Sequence, residues 1–475
     1  MDKQRPFPMK NLTIKLTFYL LIFLSFSCQS NKNQSSSENT EMIILHTNDM
    51  HAKIDNFPRL AFVVDSIRST NPNVILVSAG DLFSGNVYVD QYEPKGKPII
   101  DLMNEVGFEL NVLGNHEFDY GQNILNDRIA QANFPMVCAN LRNINAELKP
   151  MKAYEYLTFS NGTKVAFLGL LEAFVDSIPS CHPNKVHGLK FDNPLEVASD
   201  YAFLQDSADL YIALSHMGYE YDLKLAENNP EIDAVIGGHS HTKLDTGEWV
   251  NSVLVTQTGS YVKDLGVLRI KPGKTGKYEI KSEMISLSNG TEDRQIREKV
   301  TSYIENPYFK EKIHELDLAL NGDDDLGRLM TDAFRVQGNA DFGMQNSGGI
   351  RVKSFDAGAV TIGDVFALDP FGNDLLVLEM TNEEIKSLIM NGYKDRGEKV
   401  KVSGLEYEIK EGKVNLFDTE GNTMPEKRYK VAMNDYMYNA FEFDHVNSAK
   451  ASGITTTEAL IIYLKSLSEI GVRYN

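Results

Sequence analysis

From residue 42 onward the chain repeats one pattern: a short, almost wholly apolar run, then a polar cluster, then an amphipathic stretch. The runs are MIILHT, VILVSAG, FELNVLG, KVAFLGLLE, DLYIALSH and DAVIGGHS, while FPRLAFVVDSIRST and KPIIDLMNEVG have helical spacing. A strand with one wet face alternates apolar and polar residues. A run that is apolar at nearly every position suits a strand buried on both faces. Such strands need a covering layer on each side, so the pattern predicts a layered α/β domain over residues 41–290. A chain of 475 residues has room for more than that.

Residues 291–322 are charged and contain Pro307, which predicts a linking helix broken at the proline. Residues 323–475 mix helical stretches (GRLMTDAFRVQG, TNEEIKSLIMNG, TTTEALIIYLKSL) with strands (DFGMQN, DLLVLEM, YKVAMND), which predicts a second, smaller α+β domain.

The first 27 residues read as an export signal. Lys3, Arg5, Lys10 and Lys15 precede LTFYLLIFLSFS, an apolar stretch too short to span a membrane comfortably. Cys28 follows Ser27, as in a bacterial lipobox, although Ser25 stands where that motif prefers leucine. The polar stretch 28–40 reads as a tether. The expected product is extracytoplasmic, in the periplasm or on the outer-membrane surface. A lipid on Cys28 would anchor it to the membrane, and it would be a monomer or a dimer. Cys138 and Cys181 are the only other cysteines, enough for one disulfide but not for a disulfide framework. The net charge of −19 excludes a nucleic acid polymer as partner. It does not exclude small anions, because bound metal ions can dominate a local field.

The polar clusters sit where open α/β sheets collect ligands, at the carboxyl ends of strands. Asp49 and His51 follow the first run and Asp81 the second. Asn115, His116 and Asp119 follow the third. His216 ends DLYIALSH, and His239 and His241 follow DAVIGG. Five of the ten histidines are therefore at strand ends. Each cluster alone reads as an ordinary turn or helix cap. Five in succession point to a metal site. Imidazole, carboxylate and amide oxygen without thiolate suit zinc, manganese or a similar divalent ion. Two such ions roughly 3.5–4 Å apart need a bridging carboxylate, and Asp81 is the natural one. No G-x-G-x-x-G follows a strand and no cysteine cluster exists, so an oxidoreductase finds no support.

In this order, NDxH, GD, GNHEFD, SH and GGHSH resemble the motifs of the calcineurin-like metallophosphoesterases, and the chain layout resembles the 5′-nucleotidase/UDP-sugar hydrolase family. The resemblance implies a four-layer α/β/β/α metallophosphoesterase domain plus a substrate-binding domain. It implies two metal ions, one held by Asp49, His51 and His241, the other by Asn115, His216 and His239, with Asp81 between them. His116 would then be catalytic and oriented by Asp119, with Glu117 and Tyr120 structural. In the second domain QNSGGIR resembles the family's N-x-G-G-I-R loop and assigns Asn346, Gly348, Gly349 and Arg351 to the substrate. DPFGND assigns Phe371 as a base-stacking ring and Asn373 as a base contact, and Tyr436 fits the second ring.

The chain departs from the family in three places. LALNGDDDLGRL is acidic where relatives carry phosphate-gripping arginines, and only Arg328 lies within the motif. NDYMYNAFEFDH lacks the Gly-Gly-Asp loop that holds ribose, leaving Glu442 or Asp444 as substitutes. Ala52 replaces a common glycine. The activity implied is dinuclear-metal-dependent hydrolysis of a nucleotide or other phosphate ester, first a 5′-nucleotidase. The alternatives are a 2′,3′-cyclic-nucleotide phosphodiesterase/3′-nucleotidase, a UDP-sugar hydrolase or another phosphomonoesterase. A nucleotide-binding lipoprotein without catalysis is the alternative of a different class.

Overall fold

The apolar runs become strands, and the two faces of each strand show why. The computed structural model describes residues 41–474 apart from 175–176, 274–276, 396 and 398; the export signal, the tether and Cys28 lie outside the described residues. Met42–Thr47, Val74–Ser78 and Leu110–Val112 pair in parallel within one six-stranded sheet. Lys164–Leu171, Leu210–His216 and Ala234–Ile236 do the same in a second six-stranded sheet.

Alternate residues enter different cores. Met42, Ile44, Ile75, Val77 and Val112 meet Val165, Phe167, Ile212 and Leu214 between the sheets. The intervening Ile43, Leu45 and Leu76 pack beneath the helices Phe57–Thr70 and Lys97–Val106. On the far side Ala166, Leu168, Tyr211 and Ala213 pack with Leu225 and Ala226 of the helix Tyr219–Asn228. The layers therefore run helix, sheet, sheet, helix, the four-layer α/β/β/α arrangement that the family resemblance implies. Each fully buried Leu or Ile contributes about 1.5–3 kcal/mol relative to exposure, which is why no strand in the middle can tolerate a polar face.

The second part of the chain builds a mixed five-stranded sheet in the order Val400–Ser403, Phe342–Asn346, Tyr429–Asn434, Asp374–Met380, Lys450–Thr455. Helices Gly322–Gln337 and Thr456–Glu469 cover one face, and Asn382–Asp395 covers the other. The described chain from residue 41 packs as one compact unit. Among the described residues no helix is long and apolar enough to cross a membrane.

The link differs from its expected form. It is helical only over Arg294–Ile304, capped by Asp293, whose Oδ1 accepts from the Ile296 N–H at 2.8 Å. Ile296 and Val300 bury into the first core, so this helix belongs to that core. Beyond Pro307 the chain turns, and Lys312–Leu316 is a strand paired antiparallel with Gly358–Thr361. The proline ends the helix, and an available partner strand makes the next segment extended.

Candidate dinuclear metal centre and substrate cavity

The first, second and fifth of the strand-end clusters leave their strands through strained turns. Asp49, His51, Asp81, His239 and His241 all lie in the left-handed region, with φ of 50°, 46°, 55°, 75° and 54°. Residues with a Cβ hold such angles at a cost of about 1–3 kcal/mol each, and only where the surroundings over-determine them. The surroundings here do so. The N–H of Asp49 donates to Gly80 O and that of His51 to Asp81 O, both at 3.0 Å, lacing the first loop to the second. Asn48 donates to Asp49 Oδ2 at 2.6 Å and accepts from Thr258 N at 2.8 Å. The His239 N–H donates to the Asp49 carboxylate at 3.0 Å. A Cβ on Gly80 or Gly238 would come within 2.8 Å of His216 Nδ1, so two glycines make the slot for that ring.

The ligand atoms converge. His241 Nε2 lies 2.9 Å from His51 Nε2 and 3.3 Å from Asp49 Oδ1. His216 Nε2 is fully buried and pairs with Asp81 Oδ2 at 3.0 Å. His239 Nδ1 is 2.9 Å from Asn115 Oδ1. Asp49, His51 and His241 form one cluster, and Asp81, His216 and His239 a second, the ligand atoms of each lying within 4.8 Å of one another. Asp81 Oδ2 is also 3.7 Å from His51 Nε2, so its carboxylate faces both clusters. The outer ring nitrogens are tied back, His216 Nδ1 to Ala79 O at 2.6 Å and His51 Nδ1 to Ser84 O at 3.2 Å. Such ties decide which nitrogen is presented to a metal.

Burial takes the His51 pKa well below its ordinary value, with Arg351 and His116 adding to the fall, and it lowers His239 as well. Both rings are neutral donors. At His216 burial acts in the same direction, but the Asp81 carboxylate outweighs it and lifts the ring to about 10. Burial would raise Asp81, yet His216 and His116 hold it well below the usual carboxylate range. Two carboxylates, four imidazoles and an amide oxygen are placed to hold two divalent metal ions, and the buried His216 Nε2 beside Asp81 fits one of them.

The catalytic candidates adjoin this centre. His116 Nδ1 is 2.7 Å from Asp119 Oδ2, and the His116 N–H donates to Asp81 Oδ1 at 2.9 Å. Burial opposes charge on His116, but the Asp119 and Asp81 carboxylates outweigh it and raise its pKa. Ser84 Oγ donates to Asp119 and lies 3.2 Å from His116 Nδ1. No sequence signal marks Ser84, because DLFSG reads as a plain turn. Glu117, expected to be structural, is buried, and its carboxylate accepts the N–H groups of Asp81, Leu82 and Gly114 at 3.1, 2.8 and 2.6 Å. Burial raises its pKa to about 7. It pins the loop that carries Asp81, and its place beside Asn115 and His116 was the available clue.

A cavity of about 240 Å³ opens over the centre. Asp81, Asn115, His116, Asp119, His239 and His241 line it from the first part, and Asn346, Gly348, Gly349, Arg351, Phe371, Asn373 and Tyr436 line it from the second. All seven residues expected to touch substrate thus come together, while Asp49, His51 and His216 are buried behind. Phe371 stacks on the His116 ring, with centroids 5.8 Å apart and planes 19° apart. The Arg351 guanidinium sits 5.6 Å over Phe371, and its Nη2 reaches within 3.5 Å of His51 Nδ1. Tyr436 neighbours His182, whose Nε2 is 3.1 Å from Asp435 Oδ2.

Three features that the sequence left open take a definite place. Glu442 and Asp444 are exposed and neither lines the cavity, because the chain runs outward after the helix Asp435–Ala440. Arg328 lines a separate cavity with Asp324 and Lys399. Cys138 is a buried thiol 3.5 Å from Asn140 Oδ1 and forms no disulfide with Cys181.

Known proteins match both parts. The family model of the calcineurin-like phosphoesterases matches residues 42–243, and that of the 5′-nucleotidase C-terminal domain matches residues 308–445. The trifunctional nucleotide phosphoesterase protein YfkN of Bacillus subtilis is 29% identical over 446 residues, covering 81% of this chain but only 30% of YfkN. The 5′-nucleotidase of Vibrio vulnificus is 27% identical over 473 residues, covering 82% of this chain and 83% of that protein. The crystal structure of a 5′-nucleotidase precursor from Thermus thermophilus superposes with a TM-score of 0.78 at 26% identity, covering 90% of this chain and 96% of that one. With the two family models following one another along the chain, and the candidate metal ligands of the first clustered at its strand ends, the chain belongs to the 5′-nucleotidase family of calcineurin-like phosphoesterases.

Proposed function

We propose that the protein is a metal-dependent phosphoric ester hydrolase of the cell envelope, acting as a 5′-nucleotidase on extracytoplasmic nucleotides and releasing nucleoside and phosphate. The observation that carries this reading is one shared cavity, which has the candidate metal ligands and the His116–Asp119 pair on one wall and Arg351, Phe371 and Tyr436 on the other. In this reading residues 41–290 and 323–475 act as two domains joined through 291–322.

Asp49, His51 and His241 would hold one ion, Asn115, His216 and His239 the other, with Asp81 facing both clusters. Ions of this kind polarise phosphoryl oxygens and bring the pKa of water near neutrality. With Nδ1 tied to Asp119, His116 keeps Nε2 to give a proton to the departing ester oxygen. Asp119 fixes the tautomer and favours the protonated ring, and Ser84 steadies Asp119. The planar fork of Arg351 suits phosphate oxygens. Phe371 and Tyr436 offer flat faces to a base, with Asn346, Asn373 and the backbone of Gly348 and Gly349 at hand for polar contacts.

A second reading has its own support. With Glu442 and Asp444 off the cavity, the second part lends it no carboxylate for a ribose. The favoured ester could then be a 2′,3′-cyclic or 3′-nucleotide, a UDP-sugar or a non-nucleotide monoester. The breadth in the name of YfkN is in keeping with this. A binding protein without catalysis is disfavoured, since every candidate ligand is present.

Phosphate release with Mn²⁺ or Zn²⁺ from AMP, 3′-AMP, 2′,3′-cyclic AMP, UDP-glucose and a sugar phosphate tests the reading, with Asp81→Ala as blank. Metal-dependent turnover led by AMP is the expected result. Turnover led by another ester selects the second reading, and no turnover on any ester defeats both. Labelled palmitate should enter the wild type but not Cys28→Ala; an unlabelled wild type would remove the anchor.

A further inference from the structure

One cation in the cavity has no part in the reading above. Lys185 lines the cavity together with His116, Asp119 and Arg351. It is half-buried and, among the described residues, makes no ion pair. A lysine that lines a cavity without a carboxylate partner keeps its hydrogen-bond donors open to an anionic ligand. Some lysines of this acidic chain are paired, as Lys401 is with Asp324 at 2.6 Å and Lys243 with Asp264 at 3.0 Å. The cavity offers Lys185 no such partner. The carboxylates lining it are Asp81 and Asp119. Asp119 is engaged by His116 and Ser84, and Asp81 by His216 and the His116 N–H.

The backbone of Lys185 is fixed. It sits in the turn Pro183–Val186, its carbonyl accepts from Gln122 Nε2 at 3.1 Å, and the next residue, Val186, is buried in the first core. Its side chain passes beside Gly121, two residues after Asp119, where a Cβ on that glycine would lie 4.0 Å from Lys185 Cδ. The side chain is therefore delivered from the metal-binding part of the chain, into the cavity that the catalytic pair also lines. Arg351 reaches the same space from the second part, next to His51. The usual source of a further positive charge is absent, since LALNGDDDLGRL is acidic and Arg328 opens onto another cavity.

We propose that Lys185 is a substrate-binding residue that pairs with an anionic oxygen of the phosphate ester, restoring from the first part of the chain the charge that the acidic stretch 318–329 does not supply. This rests on the phosphoesterase reading above. The site thus favours esters whose phosphate carries two charges over diesters that carry one.

The test uses the full-length protein loaded with Mn²⁺, with p-nitrophenyl phosphate and bis(p-nitrophenyl) phosphate as paired monoester and diester. Losing one charge-assisted hydrogen bond is expected to raise KM for the monoester about tenfold or more in Lys185→Met, with little change in kcat and a smaller effect on the diester. Lys185→Arg should recover most of the loss. An unchanged KM, or a Lys185→Arg protein as poor as Lys185→Met, would overturn the proposal, the second because it would mark a packing role. Calorimetric binding of inorganic phosphate reads the same residue without turnover. If phosphate binds wild type and Lys185→Met alike, Lys185 has no such role. If Lys185→Met weakens phosphate binding while wild type hydrolyses no ester, the binding role stands and the hydrolase reading falls. Should Lys185→Met fail to fold, Lys185→Gln carries both measurements.

Discussion

At the scale of single residues the site is built by neighbours that dictate one another's charge. In the proposed mechanism Asp119 orients His116 and accepts a hydrogen bond from Ser84, so Asp119→Ala should lower kcat by roughly 10²–10⁴, the usual worth of a general acid, while KM for AMP moves little. Steady-state kinetics would decide, and a selective rise in KM would contradict that assignment. Away from the metals, Asp90 is buried and raised from 3.8 to about 6 by that burial. Its folded form binds a proton more tightly than its unfolded form. The stabilisation is complete below about pH 4 and lost as pH rises through 6, a swing on the order of 3 kcal/mol. Urea unfolding of wild type and Asp90→Asn at pH 4.5 and 7.5 should show the wild type losing ground at the higher pH. A pH-independent gap would show that the carboxyl titrates normally.

At the scale of elements, what sequence reveals depends on whether an element is dictated locally. MIILHT and FPRLAFVVDSIRST form a strand and a helix over the residues their patterns mark, because burial on two faces or on one stripe is written in consecutive residues. The metal candidates were legible for the same reason, each lying within a few residues of a strand end. Ser84, His182 and Lys185 were not, because their partners come from other loops and only the folded chain brings them together. The strand Lys312–Leu316 was missed likewise, its partner being distant in sequence. Loop geometry carries a prediction too. In Gly238→Ala the new Cβ would lie 2.6 Å from Ala79 O and 2.8 Å from His216 Nδ1. Displacing His216 should cut the bound metal from two ions toward one per chain, as read by elemental mass spectrometry. Two tightly held ions in the variant would show that the slot can relax.

At the scale of the whole molecule, the cavity lies where the two parts of the chain meet, with Val87 of the first part packed into the core of the second. The contacts that join them there include two polar ones, His182 with Asp435 and Arg351 beside His51, and the stacking of Phe371 on His116. Asp435→Ala should leave both cores intact yet loosen their meeting, raising the radius of gyration measured by small-angle X-ray scattering and raising KM. An unchanged radius and KM would mean that the cavity is held by other contacts. The stacking of Phe371 on His116 has a consequence at this scale. In the proposed function the ring offered to the base rests on the ring that would deliver the proton, so recognition and chemistry would share one mechanical joint. A base that tilts Phe371 also tilts the acid. Discrimination between bases should therefore appear as slower turnover and not only as weaker capture, and a tightly bound but misfitting nucleoside phosphate would act as a slow substrate that occupies the enzyme against better ones.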